Sequence, residues 1–156
     1  MTNRKYAHDD ALDFTTWDGE PVGSISPHGA IVVCVRSATP GSELLILHRA
    51  HTGIDYEGNW AWTPPSGARR PGESVSECAR RELREEVGLA ITPRPVDVDR
   101  DWAIFVVEVP HPVEIILDAE HDRYEWVHPE EAIQRCQPAE VAESIRFAIT
   151  RIGDPT

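Results

Sequence analysis

The chain has 156 residues, of which 40% are apolar and 27% are charged, values typical of a soluble globular protein with one core. Its formal net charge of −12 argues against a nucleic-acid polymer or an anionic membrane surface as the main partner. Residues 1–10 lack the apolar core of a signal peptide and no run of about 18 apolar residues occurs, so we expect a cytoplasmic protein that does not enter a membrane.

Three cysteines, Cys34, Cys78 and Cys136, are widely spaced and stand among apolar neighbours. This pattern predicts reduced, buried thiols and is not that of a disulfide framework or a zinc site.

The first part of the chain predicts strands. Residues 1–25 are polar, with a turn at residues 17–21, and we interpret them as an N-terminal arm or two short edge strands that could also form a homodimer contact. Two apolar runs follow at residues 30–35 and 44–49, and they predict paired strands in a sheet covered on both faces.

The central segment predicts a loop followed by a capped helix. Residues 52–70 are rich in Gly and Pro and form a loop long enough to suggest a pocket wall. Ser74 with Glu77 matches a capping box, and Gly88 stands where glycine favours a helix end. Apolar residues recur at every fourth position of this helix, which indicates one buried stripe.

The remainder of the chain predicts further strands and two helices. Strands are expected at residues 102–109, 113–117 and 123–127, after a break at Pro93 and Pro95, and helices at residues 130–135 and 139–152. We therefore predict a single α/β (α+β) domain over residues 1–156, in which a central mixed β-sheet lies between the acidic helix and the C-terminal helix.

The acidic helix carries Glu82, Glu85 and Glu86 within one and a half turns. Each like-charged pair one turn apart costs roughly 0.2 to 0.5 kcal/mol, so the helix alone does not explain them. Carboxylates at this spacing can converge on a hard divalent ion, and Mg²⁺ or Mn²⁺ would leave positions for water and a phosphate. Arg81 is spaced to pair with Glu85 or to reach back to Glu73, which would brace the loop against the helix.

The same segment carries the signature of a known family. Its characteristic residues are Gly67, Glu73, Arg81, Glu82, Leu83, Glu85, Glu86, Gly88 and Leu89. This spacing resembles the Nudix box of the Nudix hydrolases in every specified position. The resemblance implies an α-β-α sandwich and a metal-dependent hydrolase that cleaves a nucleoside diphosphate linked to another group, by water attack on phosphorus.

The resemblance also implies roles for individual residues. Glu82, Glu85 and Glu86 would bind Mg²⁺ or Mn²⁺, helped by the backbone carbonyl of Ser66. Glu73 and Arg81 would hold the box in shape. The general base would be Glu82 or Glu120.

Residues 62–67 are similar to the opening of the box in diadenosine tetraphosphate hydrolases, which also carry a Glu-His pair six residues before a strand Trp. Glu120 and His121 stand in that relation to Trp126, which makes Glu120 a candidate metal ligand or base. Ser66 and Ala68 replace the Lys and His of those enzymes and weaken the likeness. A dinucleoside polyphosphate, a nucleoside triphosphate and another nucleoside-diphosphate compound all stay open as substrates.

Several residues are candidates for binding such a substrate. Tyr56, Trp60 and Trp62 could stack on a base, although Trp62 could instead fill the core. Arg69 and Arg70 could meet phosphate or be solvated loop residues. The alternative to an enzyme is a catalytically silent Nudix-fold sensor that binds a nucleotide or metabolite, against which the retention of all three box glutamates counts.

The other aromatic and histidine residues are assigned to the scaffold. Trp102 and Trp126 lie in predicted strands and are expected in the core. His48 and His121 lack the spacing of a zinc site and are interpreted as structural or solvent-exposed.

Overall fold

A computed structural model describes residues 11–16, 19–50, 61–137 and 139–152. Its strands, in chain order, are β1 (Ala11–Thr15), β2 (Pro21–Gly23), β3 (Gly29–Ser37), β4 (Ser42–Arg49), β5 (Trp62–Thr63), β6 (Ser66–Ala68), β7 (Arg94–Asp97), β8 (Trp102–Glu108) and β9 (His121–Val127). Its helices are α1 (Val75–Val87), α2 (Pro129–Arg135) and α3 (Ala139–Ile149).

The main sheet has seven strands and is mixed. Its order is β5-β4-β3-β8-β7, with β6 also paired to β3 and β9 also paired to β4. The central strands β3 and β8 are parallel, and the other pairs in this sheet are antiparallel. Strands β1 and β2 pair with each other in a separate two-stranded sheet rather than extending the main one.

Each face of the main sheet carries its own apolar core, because alternate residues of the central strands point to opposite sides. Ala30, Val32 and Cys34 of β3 face α1 and pack with its buried stripe. Ile31, Val33 and Val35 face the other way and pack with α2 and α3. The predicted sandwich with a mixed sheet at its centre is thus confirmed.

The segment at residues 113–117 does not form the predicted strand. Val113, Ile115 and Leu117 pack against the α1 side of the sheet, which accounts for most of the hydrophobic run, whereas Ile116 is exposed. The amide of Ile116 donates to the carbonyl of Val87 at 3.0 Å, at the end of α1. The segment therefore satisfies the helix end instead of pairing with a neighbouring strand.

Three further differences concern short elements and boundaries. Strand β7 begins directly after Pro93 and includes Pro95, although both prolines had suggested a break, and Pro95 is tolerated because β7 lies at the sheet edge. Strands β5 and β6 occupy part of the predicted loop, where pairings of two and three residues are too short to show in sequence. Helix α3 ends at Ile149, and a turn at residues 150–152 replaces the rest of the predicted helix.

Among the described helices, none has the length and apolar character needed to cross a bilayer. All three cysteines are buried and unbridged, as predicted.

Candidate metal centre

Helix α1 is fixed at both ends by the caps that the sequence predicts. The Ser74 hydroxyl accepts from the amide of Glu77 at 3.1 Å, and the Glu77 carboxylate accepts from the amide of Ser74 at 2.9 Å. Gly88 has φ of 75°, a left-handed conformation that suits glycine, and its amide donates to Arg84. The helix is thereby held against the sheet with its acidic residues in set positions.

Glu82 and Glu86 lie on the buried side of α1, exposed to only 8% and 2%. One oxygen of Glu86 accepts a hydrogen bond from the amide of Ser66 at 3.0 Å. Gly67 leaves room for Glu82, since a Cβ atom there would overlap the Glu82 carboxylate. Strand β6 therefore lines up its backbone directly against the two buried acids.

Arg81 joins the loop to the helix. Its Nε and Nη2 atoms donate to the two oxygens of Glu73 at 2.7 and 2.9 Å, a bidentate pair. Its Nη1 donates to Glu82 at 2.8 Å and lies 3.5 Å from Glu85, and its Nη2 also donates to the carbonyl of Ala68 at 3.0 Å. Both pairings considered from sequence are thus present at once, and Arg81 balances part of the acidic charge.

Glu85 differs from its two neighbours in the box. Its side chain is 48% exposed and faces the cations Arg81 and Arg70, the latter at 3.7 Å. It therefore lies at the rim of the cluster rather than among the buried carboxylates. Arg81 contacts both Glu85 and Glu82 and so connects the two.

A further carboxylate, that of Glu120, approaches Glu86 from another part of the chain. Glu86, Glu120 and His121 each present one ligand atom, and these three atoms lie within 4.8 Å of one another. Glu120 and His121 stand where the turn at residues 118–121 enters β9. The fold therefore brings the later acid of the sequence to helix α1.

The electrostatics of this cluster favour a cation. Burial, together with the negative charges of Glu82 and Glu120, raises the pKa of Glu86 well above its usual range. Burial also raises the pKa of Glu82 to about 7, against the opposing effect of Arg81. Carboxylates crowded and desolvated in this way are stabilised in their charged form by a divalent ion, so the donor set fits Mg²⁺ or Mn²⁺.

His121 lies beside this cluster and is buried, so of the two interpretations made from sequence, structural or solvent-exposed, the second is wrong. Its side chain is 1% exposed, with Nδ1 3.2 Å from Asp118 and Nε2 3.9 Å from Glu120. Burial lowers its pKa, which favours the neutral ring. The sequence signal that could have revealed it is its position directly after Glu120.

The structure places Arg69 in a different setting from the phosphate contact considered above. Its side chain is 4% exposed. The guanidinium donates to the carbonyls of Pro27, Arg70 and Glu73 at 2.7 to 3.2 Å, and to that of Ile25. Arg69 ties the loop to the segment before β3, whereas Arg70 is exposed beside Glu85.

Trp62 lies on the face of the sheet that carries α2 and α3, partly buried against that core. Arg135 stands over its ring at 4.2 Å and Arg123 at 5.3 Å from the centroid, and His48 meets it edge-on at 4.9 Å. The ring is thus part of a cation-π cluster that connects β5 to α2.

The other aromatic candidates divide into three cases. Tyr56 and Trp60 lie outside the described residues. Trp126 packs against the α1-side core under Arg36, as expected. Trp102 is 44% exposed, so its prediction as a core residue is wrong: it is the first residue of β8, and its ring lies over Gly29 of β3.

Comparison with known proteins gives the family. Residues 27–148 match the family model of the NUDIX domain. An octanoyltransferase of Myxococcus xanthus is 28% identical over 148 residues, covering 86% of this chain, but the chain spans only 40% of that relative's length. The asymmetrical bis(5'-nucleosyl)-tetraphosphatase of Mus musculus is 32% identical over 118 residues, covering 67% of this chain and 76% of the mouse protein.

A solved structure supports the fold. The binary complex of a C. elegans Ap4A hydrolase has a TM-score of 0.64 with this protein at 22% identity, covering 80% of this chain and 96% of the other. The family match spans most of the chain and includes the helix that carries the buried carboxylates. This protein therefore belongs to the Nudix hydrolase family.

Proposed function

We propose that this protein is a metal-dependent pyrophosphohydrolase that cleaves a phosphoanhydride bond in a nucleoside diphosphate linked to another group, by water attack on phosphorus. The observation that carries the proposal is that the partly buried Glu120 approaches Glu86, which is buried beside Glu82. Such a cluster is costly without a cation, and the family to which the chain belongs supports the reaction class.

The proposed ligands of Mg²⁺ or Mn²⁺ are Glu82, Glu85, Glu86, Glu120 and the backbone carbonyl of Ser66. The bound ion would neutralise phosphate charge and acidify a water molecule. The exposed position of Glu85 suits a ligand that reaches the ion through water or moves on binding.

Glu82 or Glu120 would take the proton of the attacking water. Without metal, burial raises the pKa of Glu82 to about 7, and a divalent ion bound beside it would lower this pKa, so that the ionised carboxylate needed to accept a proton is present at neutral pH. Arg81 would act on this residue through the contact at 2.8 Å, while its pair with Glu73 holds the loop in place. Arg81 and Glu73 are thus positioning residues.

The preferred substrate is a small-molecule nucleotide, either a (di)nucleoside polyphosphate or a nucleoside triphosphate. The mouse tetraphosphatase supports the first choice, whereas Ser66 and Ala68 lack the charged and polar side chains found there in diadenosine tetraphosphate hydrolases. Arg70 is the exposed arginine proposed to meet phosphate. Trp62, with Tyr56 and Trp60, stays a candidate for contacting a base, and Arg69 is assigned to the scaffold.

Replacing Glu86 with Gln tests the proposed chemistry. The change keeps the shape of the side chain but removes the charge at the centre of the cluster, so hydrolysis should fall by about a thousandfold or more. Steady-state rates with saturating Mg²⁺ and Mn²⁺ measure this. Glu130→Gln, an exposed change on α2, is the matched control and should retain the wild-type rate. Equal turnover by Glu86→Gln and wild type would rule out this role.

A nucleotide panel tests the function itself. Dinucleoside polyphosphates, nucleoside triphosphates and nucleotide sugars are incubated with the protein and either metal, and phosphate, pyrophosphate and nucleotide products are measured. We expect hydrolysis of at least one polyphosphate. If the protein binds a nucleotide but forms no product from any member of the panel, the proposed enzymatic function is rejected in favour of a catalytically silent sensor.

A further inference from the structure

The turn that enters β9 is anchored by its own hydrogen bonds. The carbonyl of Glu120 accepts from the amide of Ala50 at 2.9 Å, and the Asp118 carboxylate accepts from the amide of Glu120 at 3.2 Å. The amide of His121 also donates to the carbonyl of Asp118 at 3.3 Å. The backbone that carries the Glu120 and His121 side chains is therefore fixed by several hydrogen bonds.

The His121 ring has two different nitrogen environments. Nδ1 lies 3.2 Å from Asp118, within hydrogen-bonding distance, so in the neutral ring it carries the proton and donates. The lone pair is then on Nε2, which faces the Glu120 carboxylate at 3.9 Å, beyond hydrogen-bonding distance. A metal ion between them would be bound by both the Nε2 lone pair and the carboxylate, in addition to the positive charge of Arg49 near the ring.

The distances suit a single ion. Ligand atoms about 2.1 Å from a metal lie up to about 4.2 Å apart, and the three atoms of Glu86, Glu120 and His121 already lie within 4.8 Å. Only ligands on opposite sides of an ion lie that far apart, and neighbouring ligands lie about 3 Å apart, so an inward movement of about 1 to 2 Å by the Glu86 and Glu120 side chains would complete three protein positions. Glu86 comes from α1 and the other two from the turn before β9, so the site forms only in the folded chain.

The contact between Asp118 and Nδ1 has the form found around metal-binding histidines, in which a carboxylate fixes the tautomer and strengthens the other nitrogen as a ligand. An imidazole nitrogen suits Zn²⁺, Fe²⁺ or Ni²⁺ best, whereas Mg²⁺ and Mn²⁺ share a preference for oxygen ligands, and of these two Mn²⁺ is the transition metal that accepts a nitrogen ligand more readily. A nitrogen donor at residue 121 therefore favours a transition-metal ion at this site.

We propose that His121 Nε2 is a metal ligand together with Glu86 and Glu120, with Asp118 as its positioning residue, and that this site takes a transition-metal dication in preference to Mg²⁺. This inference rests on the proposed metal-dependent function and deepens it. His121 would be the nitrogen donor in a centre otherwise built from oxygen ligands.

Pulsed electron paramagnetic resonance with Mn²⁺ as the only added metal tests the bond directly. We expect nitrogen modulation from a coordinated imidazole in the wild-type protein and its loss in His121→Gln. His48→Gln is the matched control, because His48 also pairs with a carboxylate, Asp122 at 2.8 Å, yet does not belong to the cluster. That variant should keep the modulation.

Metal titration by calorimetry supplies a second readout. His121→Gln should weaken Mn²⁺ binding about 10- to 100-fold while changing Mg²⁺ binding far less. Since His121 is buried, circular dichroism checks that the variant folds, and Asp118→Asn provides a second variant that keeps the ring. It should retain the nitrogen modulation with about tenfold weaker Mn²⁺ binding.

Wild-type Mn²⁺ bound without nitrogen modulation would overturn the inference, as would an equal loss of Mn²⁺ and Mg²⁺ affinity in His121→Gln. The nucleotide panel separates this failure from that of the proposed function. If the protein hydrolyses a nucleotide but shows no nitrogen coordination, only the role of His121 as a ligand is rejected. If it shows nitrogen coordination but hydrolyses no nucleotide, the metal site is supported and the proposed enzymatic function is rejected.

Discussion

At the residue scale, the candidate metal centre depends on charged side chains that lie close to the backbone of β6, which glycine makes possible. Gly67 admits the Glu82 carboxylate, and the Ser66 amide donates to Glu86. Arg81 then satisfies both Glu73 and Glu82. Each acid thus has a specific donor, so the cluster is a built arrangement rather than a solvated acidic face.

The ion pair between Glu73 and Arg81 makes the free energy of unfolding depend on pH in the acidic range. Burial tends to raise the pKa of Glu73, but the Arg81 hydrogen bonds and charge outweigh it and lower the pKa below the usual 4.5. A depressed carboxylate pKa contributes stability that is present above the unfolded value and is lost as pH falls through the folded value. Glu73→Gln should therefore cost about 1.5 to 3 kcal/mol at neutral pH.

Urea denaturation of wild type and Glu73→Gln from neutral pH into acid measures this difference. The gap between the two should close as pH falls below the unfolded value of 4.5. Glu114→Gln, at an exposed position, controls for loss of a surface charge. A gap that stays constant with pH would contradict the assigned ion pair.

At the element scale, α1 is both the support of the centre and one wall of a core. Its apolar stripe is buried against the sheet, and its capping box fixes where the first turn begins. Correct placement of Glu82 and Glu86 follows from these two features, because a helix held at its start and along one face cannot rotate about its axis.

Ser74→Ala should destabilise the protein by about 1 kcal/mol, since it leaves the amide of Glu77 without its side-chain acceptor. Chemical denaturation measures the free energy of unfolding. The neighbouring Ser76→Ala, exposed within the same helix, should change stability by less than about 0.5 kcal/mol. Equal effects at both positions would mean that the cap contributes nothing beyond helix propensity.

At the scale of the whole molecule, the sheet separates two apolar layers with different duties. The layer under α1 supports the carboxylates, whereas the layer under α2 and α3 supports the opposite face. Leu83 and Ile145 are fully buried representatives of the two layers. Both layers contribute to the stability of the fold, but the geometry of the candidate metal centre depends mainly on the layer under α1.

Leu83→Ala and Ile145→Ala should each cost about 2 to 5 kcal/mol of unfolding free energy, since each leaves a cavity in a packed core. Mn²⁺ affinity, measured by calorimetry below the unfolding temperature, should weaken in Leu83→Ala and stay near wild type in Ile145→Ala. Equal weakening in both variants would show that the two layers are not separable with respect to the site.

Sequence alone predicted the caps and register of α1, the central strands and the sandwich, because these depend on local patterns. The patterns are turn residues, the capping box, continuous apolar runs in the strands and apolar residues at every fourth position of the helix. The same locality explains its misses. Strands β5 and β6 exist through pairing with distant partners, and residues 113–117 have the apolar content of a strand but satisfy the end of α1 instead.

Only the tertiary structure decided the composition of the centre. Sequence placed three acids on one helix, but burial separates Glu82 and Glu86 from the exposed Glu85. Glu120 and His121 lie more than thirty positions along the chain from Glu86, and their meeting depends on how β9 pairs with β4. Spacing along a helix can be read locally, whereas the desolvation and donor set of a site arise when distant segments are packed together.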